Sequence, residues 1–152
     1  MKIMIGIDGS PPSDAAVKSV AARPWPTGSE IRLIAVVELH IASVPVIWAV
    51  PDNHYLSLLH ELQEKAHEAL TRAAAWFAST QPDLLVTTET LNGNIKELLV
   101  KEAEDWGADL LVVGSHGHNA VERFLLGSVS NAVMHHAPCS VEVVRQRAQA
   151  AV

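Results

Sequence analysis

Ala108-Asp-Leu-Leu-Val-Val-Gly-Ser-His-Gly117 carries the apolar run Leu110 to Val113 straight into a glycine turn. A run this short, apolar throughout and half β-branched, reads as a strand buried on both faces, the kind found in parallel sheets. Runs of similar character recur at Lys2 to Asp8, Ile31 to Leu39, Leu84 to Leu91 and Ser140 to Arg145. Between the second and third, Tyr55 to Ser79 places Tyr55, Leu59, Leu62, Ala66, Ala69, Leu70, Ala73 and Phe77 mostly three or four residues apart, with Glu61, Glu64, Lys65, Glu68 and Arg72 opposite. That spacing predicts an amphipathic helix. A second helix begins at Asn94 as N-cap, with Glu97 three residues on, and stops at Gly107. A shorter helix follows Pro11 and Pro12 with Ser10 as its cap, and another covers Ser128 to His136, ending before Pro138.

The order βαβαβαβαβ requires crossover connections. It therefore predicts an α/β fold with an open, mainly parallel five-stranded sheet and helices on both faces. Such sheets take ligands at the carboxyl ends of their strands, where strand order reverses. The segments after Asp8, Val37 and Val113 should converge there. The stretch from His40 to Asn53 has two prolines and no clear period, and reads as a long loop over that crevice or over a partner.

Eleven basic residues against seventeen acidic ones give a charge of −6, with no Lys/Arg run, which argues against a nucleic-acid surface. The opening MKIMIGIDGS is too short an apolar stretch for a signal core or a membrane span, and the lone Cys139 fits a reducing compartment; a cytoplasmic location is expected. With 49% hydrophobic residues the chain has enough apolar material for one core without a metal or disulfide staple. His60 and His67 lie on a polar helix side, and the adjacent His135 and His136 face different ways, so no metal site is expected.

The segment Gly114 to Ser130 follows the most apolar strand and leads into a helix. Glycine at 114 and 117 would let the backbone turn sharply and let oxygens approach where a Cβ would clash, and positive φ is expected at Gly117 and Gly127. Gly127 and Ser128 open a helix whose free amides and dipole favour an anion, and the hydroxyls of Ser128 and Ser130 are further donors. His116 and His118 fall inside this loop, where an imidazole can donate to a phosphate oxygen. Asp8 ends the first strand beside Gly9; it reads either as a site residue or as a turn and cap residue.

The pattern G-x2-G-x9-G-[ST] at Gly114, Gly117, Gly127 and Ser128 resembles the nucleotide loop of the ATP-binding branch of the universal stress protein family. Ile5-Gly-Ile-Asp-Gly-Ser10, Ala108 to Gly117 and Ala137-Pro-Cys-Ser-Val-Glu-Val-Val-Arg145 are similar to family segments, so the resemblance spans nearly the whole chain. It implies an adenine nucleotide alpha-hydrolase-like fold with strand order 3-2-1-4-5, a domain over residues 1–147, and a short disordered tail at 148–152. It further implies that Asp8 contacts the ribose or an associated metal, that the backbone around Val36 meets the adenine edge, and that Gly114, Gly117, Gly127 and Ser128 hold phosphates. His118, Val129 and Ser130 complete the candidate set. The implied ligand is ATP, with Mg²⁺ as the ion that usually accompanies a triphosphate. The implied role is a nucleotide-dependent stress-response or regulatory module.

The sequence departs from the family pattern at Glu142, where an apolar residue is commoner, and in the longer loop that contains Trp48. It shows no catalytic apparatus: the loop lacks a Walker lysine and no base stands out, so at most slow ATP hydrolysis is expected. A pyrophosphatase relative would carry an SGGxDS-type loop where this chain has Gly6-Ile-Asp-Gly-Ser10. A nucleotide-free interaction module is opposed by the intact glycine loop. The last strand, Ser140 to Arg145, is expected at a sheet edge, where it would pair with a second copy, Glu142 of one chain meeting Arg145 of the other.

Overall fold

Ile3, Met4 and Ile5 are completely shielded from solvent, which requires neighbours on both faces and both edges of the first strand. The computed structural model, which describes residues 1–39, 52–117 and 126–146, supplies them. Its elements are β1 (Lys2–Ile7), α1 (Pro11–Ala21), β2 (Glu30–Val37), α2 (Asp52–Thr80), β3 (Leu85–Asn92), α3 (Ile95–Trp106), β4 (Leu110–Gly114), α4 (Ser128–His136) and β5 (Ser140–Val144). All strand pairs are parallel and the sheet order is β3-β2-β1-β4-β5, so the chain reverses its direction of winding at β1.

The period-2 alternation of side chains divides the core into two layers. Ile3, Ile5 and Ile7 of β1, with Ile31 and Leu33 of β2 and Val112 of β4, pack under α1 and α2 around Val20, Leu70 and Phe77. Met4, Ile34, Leu111 and Val113 point the other way, onto Leu99 and Ala103 of α3 and Val133 of α4. The expectation of strands buried on both faces holds at the centre and fails at both edges, β3 and β5. On β3 Leu85 is 59% exposed, because an edge strand has a neighbour on one side alone. On the α3 side Arg32 pairs with Glu102 at 2.9 Å and with Glu89, and its guanidinium lies 5.5 Å from the centre of the Trp106 ring.

The helix ends follow their local chemistry. The Ser10 hydroxyl accepts from the Ser13 N–H at the start of α1, with Pro11 and Pro12 in the positions that need no donor. Asn94 caps α3 by accepting from the Lys96 and Glu97 amides, and Gly107 closes it in the left-handed region at φ 68°. The long helix begins at Asp52, three residues ahead of the expected start. The Trp48 loop, His118 and the 148–152 tail lie outside the described residues. Among the described residues no helix is long and apolar enough to cross a membrane.

One sequence reading changes here and another gains a second role. Glu142 is not left over for Arg145 of a second chain: it forms a two-pronged pair with Arg23 just beyond α1, and Arg23 also donates to Ser19 Oγ at 2.7 Å. β5 turns Glu142 to the α1 face while Val141 and Val143 face α4, so the glutamate ties an edge strand to a helix within one chain. The hydrogen bond from Arg23 holds the Glu142 carboxyl below the usual carboxylate range against the opposing effect of burial. Gly114, in turn, is a packing residue. A Cβ there would stand 2.7 Å from the Pro12 carbonyl carbon and 2.8 Å from the Ser13 nitrogen, both backbone atoms. Gly114→Ala must therefore displace the start of α1. The expected cost is about 1–3 kcal/mol, as for other overpacked sites, read as a lower urea midpoint at unchanged slope; an unchanged midpoint would show that α1 yields freely.

Candidate functional site

β1 and β4 are neighbours whose following segments diverge to opposite faces of the sheet, so a crevice opens at their carboxyl ends. Past β1, Asp8 Oδ1 accepts from the Ser10 N–H at 2.9 Å and from the Ser10 hydroxyl at 2.6 Å, while the Asp8 N–H donates to Ser13 Oγ at 3.3 Å. The turn role is thus real. The other carboxylate oxygen, Oδ2, lies against Gly117, where a Cβ would stand 2.9 Å from it. Glycine at 117 gives this carboxylate its room.

Past β4 the chain is folded back on itself. The Ser115 N–H donates to the Val144 carbonyl at 2.8 Å, and the Ser115 carbonyl accepts from the Gly127 N–H at 2.8 Å and from Ser130 Oγ at 3.1 Å. The two ends of the glycine segment therefore touch. A Cβ on Gly127 would stand 3.3 Å from both Ser115 O and His116 Cα. Its φ is −63°, and the described glycines with positive φ are Gly9, Gly28, Gly93 and Gly107. The expected positive φ at Gly117 and Gly127 is not what requires glycine, and Gly114 has none either; close approach is the reason. The Ser130 hydroxyl, read from the sequence as a phosphate donor, directs its one hydrogen at the Ser115 and Gly127 carbonyls and acts as a clasp.

The result is a cavity of about 330 Å³, within the range of small-ligand sites. Asp8, Val36, Gly114, Gly117, Gly127, Ser128, Val129 and Ser130 all line it. The sequence missed Gly6, Ile7, Ser13, Ile34, Ile95, Leu99 and Val113, which also line it. A glycine inside a strand run at Gly6 and the same-face partner of Val36 at Ile34 were the available signals. Ile34, Val36, Ile95 and Leu99 make an apolar wall; His116, Ser128 and the backbone of the glycine segment make a polar one. α4 enters the polar side with no side-chain cap at Gly127, which leaves its first amides for a ligand or water.

His116 is one of the two histidines between Gly114 and Ser130. Its Nδ1 lies 2.9 Å from Ser115 Oγ, and its Nε2 is buried without a partner among the described residues. A buried polar atom left in that state costs about 1–3 kcal/mol. Among the described residues no group of three His, Cys, Asp or Glu side chains could hold a metal on its own, and His60 pairs with Glu64 at 3.2 Å.

A family model described as the universal stress protein family matches residues 1–145. Universal stress protein A homolog 2 of Coxiella burnetii is 31% identical over 148 residues, covering 95% of this chain and 94% of that one. Among solved structures, universal stress protein UspA from Lactobacillus plantarum superposes with a TM-score of 0.82 at 25% identity, covering 95% of this chain and 97% of that chain. A family member from Arabidopsis thaliana, solved with AMP bound, shares the fold with a TM-score of 0.68 at 17% identity, covering 97% and 93% of the two chains.

If the Ser115 carbonyl is what closes the segment, Ser130→Ala should loosen it without unfolding the domain. A lost neutral hydrogen bond of about 1 kcal/mol corresponds to roughly fivefold faster exchange of the Gly127 amide. Hydrogen exchange by NMR reads this directly, and unaltered Gly127 protection would remove Ser130 from that role.

Proposed function

This chain belongs to the universal stress protein family, and from that membership we propose that it binds ATP in the cavity between β1 and β4 as a nucleotide-dependent regulatory module. The observation that carries the reading is the closed glycine segment. Gly114 and Gly117 lie three residues apart and Gly127 ten further on, and the three border one cavity together with the uncapped start of α4. Amide donors without a Cβ in front of them suit an acceptor-only, anionic group. The apolar wall of Ile34, Val36, Ile95 and Leu99 suits a flat base, and Val36 offers backbone groups to its edge. A family member of the same fold carrying AMP supports the choice of an adenine nucleotide.

Each hydrogen bond to a charged oxygen contributes about 1.5–3 kcal/mol, so three or four support micromolar affinity, about −8 kcal/mol. Mg²⁺ would arrive on the phosphates, with Asp8 as the carboxylate that lines the cavity. Among the described lining residues no lysine is placed to stabilise a transferring phosphoryl group, so binding rather than turnover is the proposed activity. Denaturing the purified protein and identifying the released nucleotide by mass is the first test. In calorimetry, Gly117→Val places a branched side chain on Asp8 Oδ2 and in front of the loop amides. It should weaken ATP binding about 100-fold or more, the loss of two charge-assisted bonds. Circular dichroism should stay unchanged; full ATP affinity in this variant would remove the assigned site.

The homodimer also belongs to this proposal. β5 ends the sheet order, and Val144 turns its carbonyl to Ser115 on the β4 side. By alternation along a strand, Val141 and Val143 direct their N–H and C=O groups to the open edge. With Glu142 held by Arg23, backbone pairing and the Val141 and Val143 side chains would make the contact. The protein should sediment as a dimer and Val143→Pro, which deletes one outward donor, as a monomer that still binds ATP. A monomer at tens of micromolar in the unmodified protein would overturn edge pairing.

A further inference from the structure

Within the nucleotide reading, on which this inference rests, one polar atom of the cavity has no assigned task. His116 lines the cavity, and its Nε2 is shielded from solvent with no hydrogen-bond partner among the described residues. Its Nδ1 faces the hydroxyl of Ser115, a side chain 2% exposed, at 2.9 Å. Buried polar atoms are overwhelmingly paired, and an orphan beside a cavity points to a partner that enters with the ligand.

We infer that His116 is a specificity residue for the phosphate end of the nucleotide, donating from Nε2 to a phosphate oxygen while the Ser115 hydroxyl donates to Nδ1. The tautomer follows from the ligand's chemistry. Phosphate oxygens only accept, so the nitrogen that meets them must carry the hydrogen, and the other must then accept. The hydroxyl of Ser115 can rotate to give that donor. Location selects phosphate over base, because His116 Cα lies 3.3 Å from where a Cβ on Gly127 would stand, next to the uncapped start of α4. The apolar wall that suits the base is formed by β2 and α3 residues. Water does not reach Nε2 in this arrangement, so the ring makes its contact by a small turn as the nucleotide seats; active-site contacts commonly tighten in this way on ligand binding. The contact removes an existing penalty and adds a bond, which favours ligands with phosphates over those without.

Calorimetry of the full chain with ATP and, separately, with adenosine tests this. His116→Ala should weaken ATP about tenfold, one hydrogen bond to a charged oxygen, and leave adenosine within about twofold. His116→Gln, whose amide nitrogen can occupy the Nε2 position, should restore most of the ATP affinity, while His116→Asn, whose amide reaches only the Nδ1 position, should not. Unchanged ATP affinity in the alanine variant, or equal losses for ATP and adenosine, would overturn the inference while leaving the nucleotide reading intact. Failure of the unmodified protein to bind either compound would overturn both. A readout free of substitution effects is the imidazole ¹⁵N spectrum of the unmodified protein, with the glutamine variant identifying the signal. ATP should fix His116 with hydrogen on Nε2, and a spectrum that does not respond to ATP counts against the contact.

Discussion

The carbonyl of Ser115 holds the functional end of this molecule together. It takes hydrogen bonds from the Gly127 amide and the Ser130 hydroxyl, and the amide of the same residue is bonded to Val144. One residue thereby joins the end of β4 to β5 on one side and to the start of α4 on the other. Without it the glycine segment would be a surface excursion between a strand and a helix. With it, residues 114–117 and 127–130 become adjacent walls of one cavity, and the uncapped turn of α4 faces inward.

That closure depends on three glycines whose reasons differ. Gly114 admits the backbone of Pro12 and Ser13, Gly117 admits the Asp8 carboxylate, and Gly127 admits the backbone of Ser115 and His116. Each is a close approach between segments remote in sequence. None rests on a left-handed backbone. The same spacing that reads as a phosphate loop is therefore also a packing requirement, and the two are compatible: a site lined with bare backbone must be built from residues that let backbones meet. Asp8 shows a similar doubling, one oxygen fixing the turn into α1 and the other turned to the loop.

The cavity's two-sided character comes from sheet geometry. Even-numbered positions of β1 and β2 and the first turns of α3 supply Gly6, Ile34, Val36, Ile95 and Leu99 on one side, while the reversal of strand order brings β4 and α4 to the other. An apolar wall opposite a wall of amides is what a base joined to phosphates would meet. His116 stands on the amide side with a buried nitrogen that has no partner among the described residues.

The sequence by itself determined the alternation of strands and helices and the caps at Ser10, Asn94 and Gly107; the family resemblance added the strand order and part of the cavity lining, while Gly6, Ile34, Ile95 and Leu99 went unread. These are legible because they rest on local rules: side-chain period, capping within three residues, and spacing around a turn. The tertiary structure alone decided how those residues are used. Glu142 looked like a register device for a second chain, yet its partner Arg23 lies 119 positions away. The Ser130 hydroxyl, expected as a phosphate donor, also lies 3.1 Å from the Ser115 carbonyl and 3.0 Å from that of Gly127, contacts that no local pattern announces. A hydrogen bond or an ion pair is fixed by which distant group arrives within about 3 Å, and no local pattern along a chain encodes that distance.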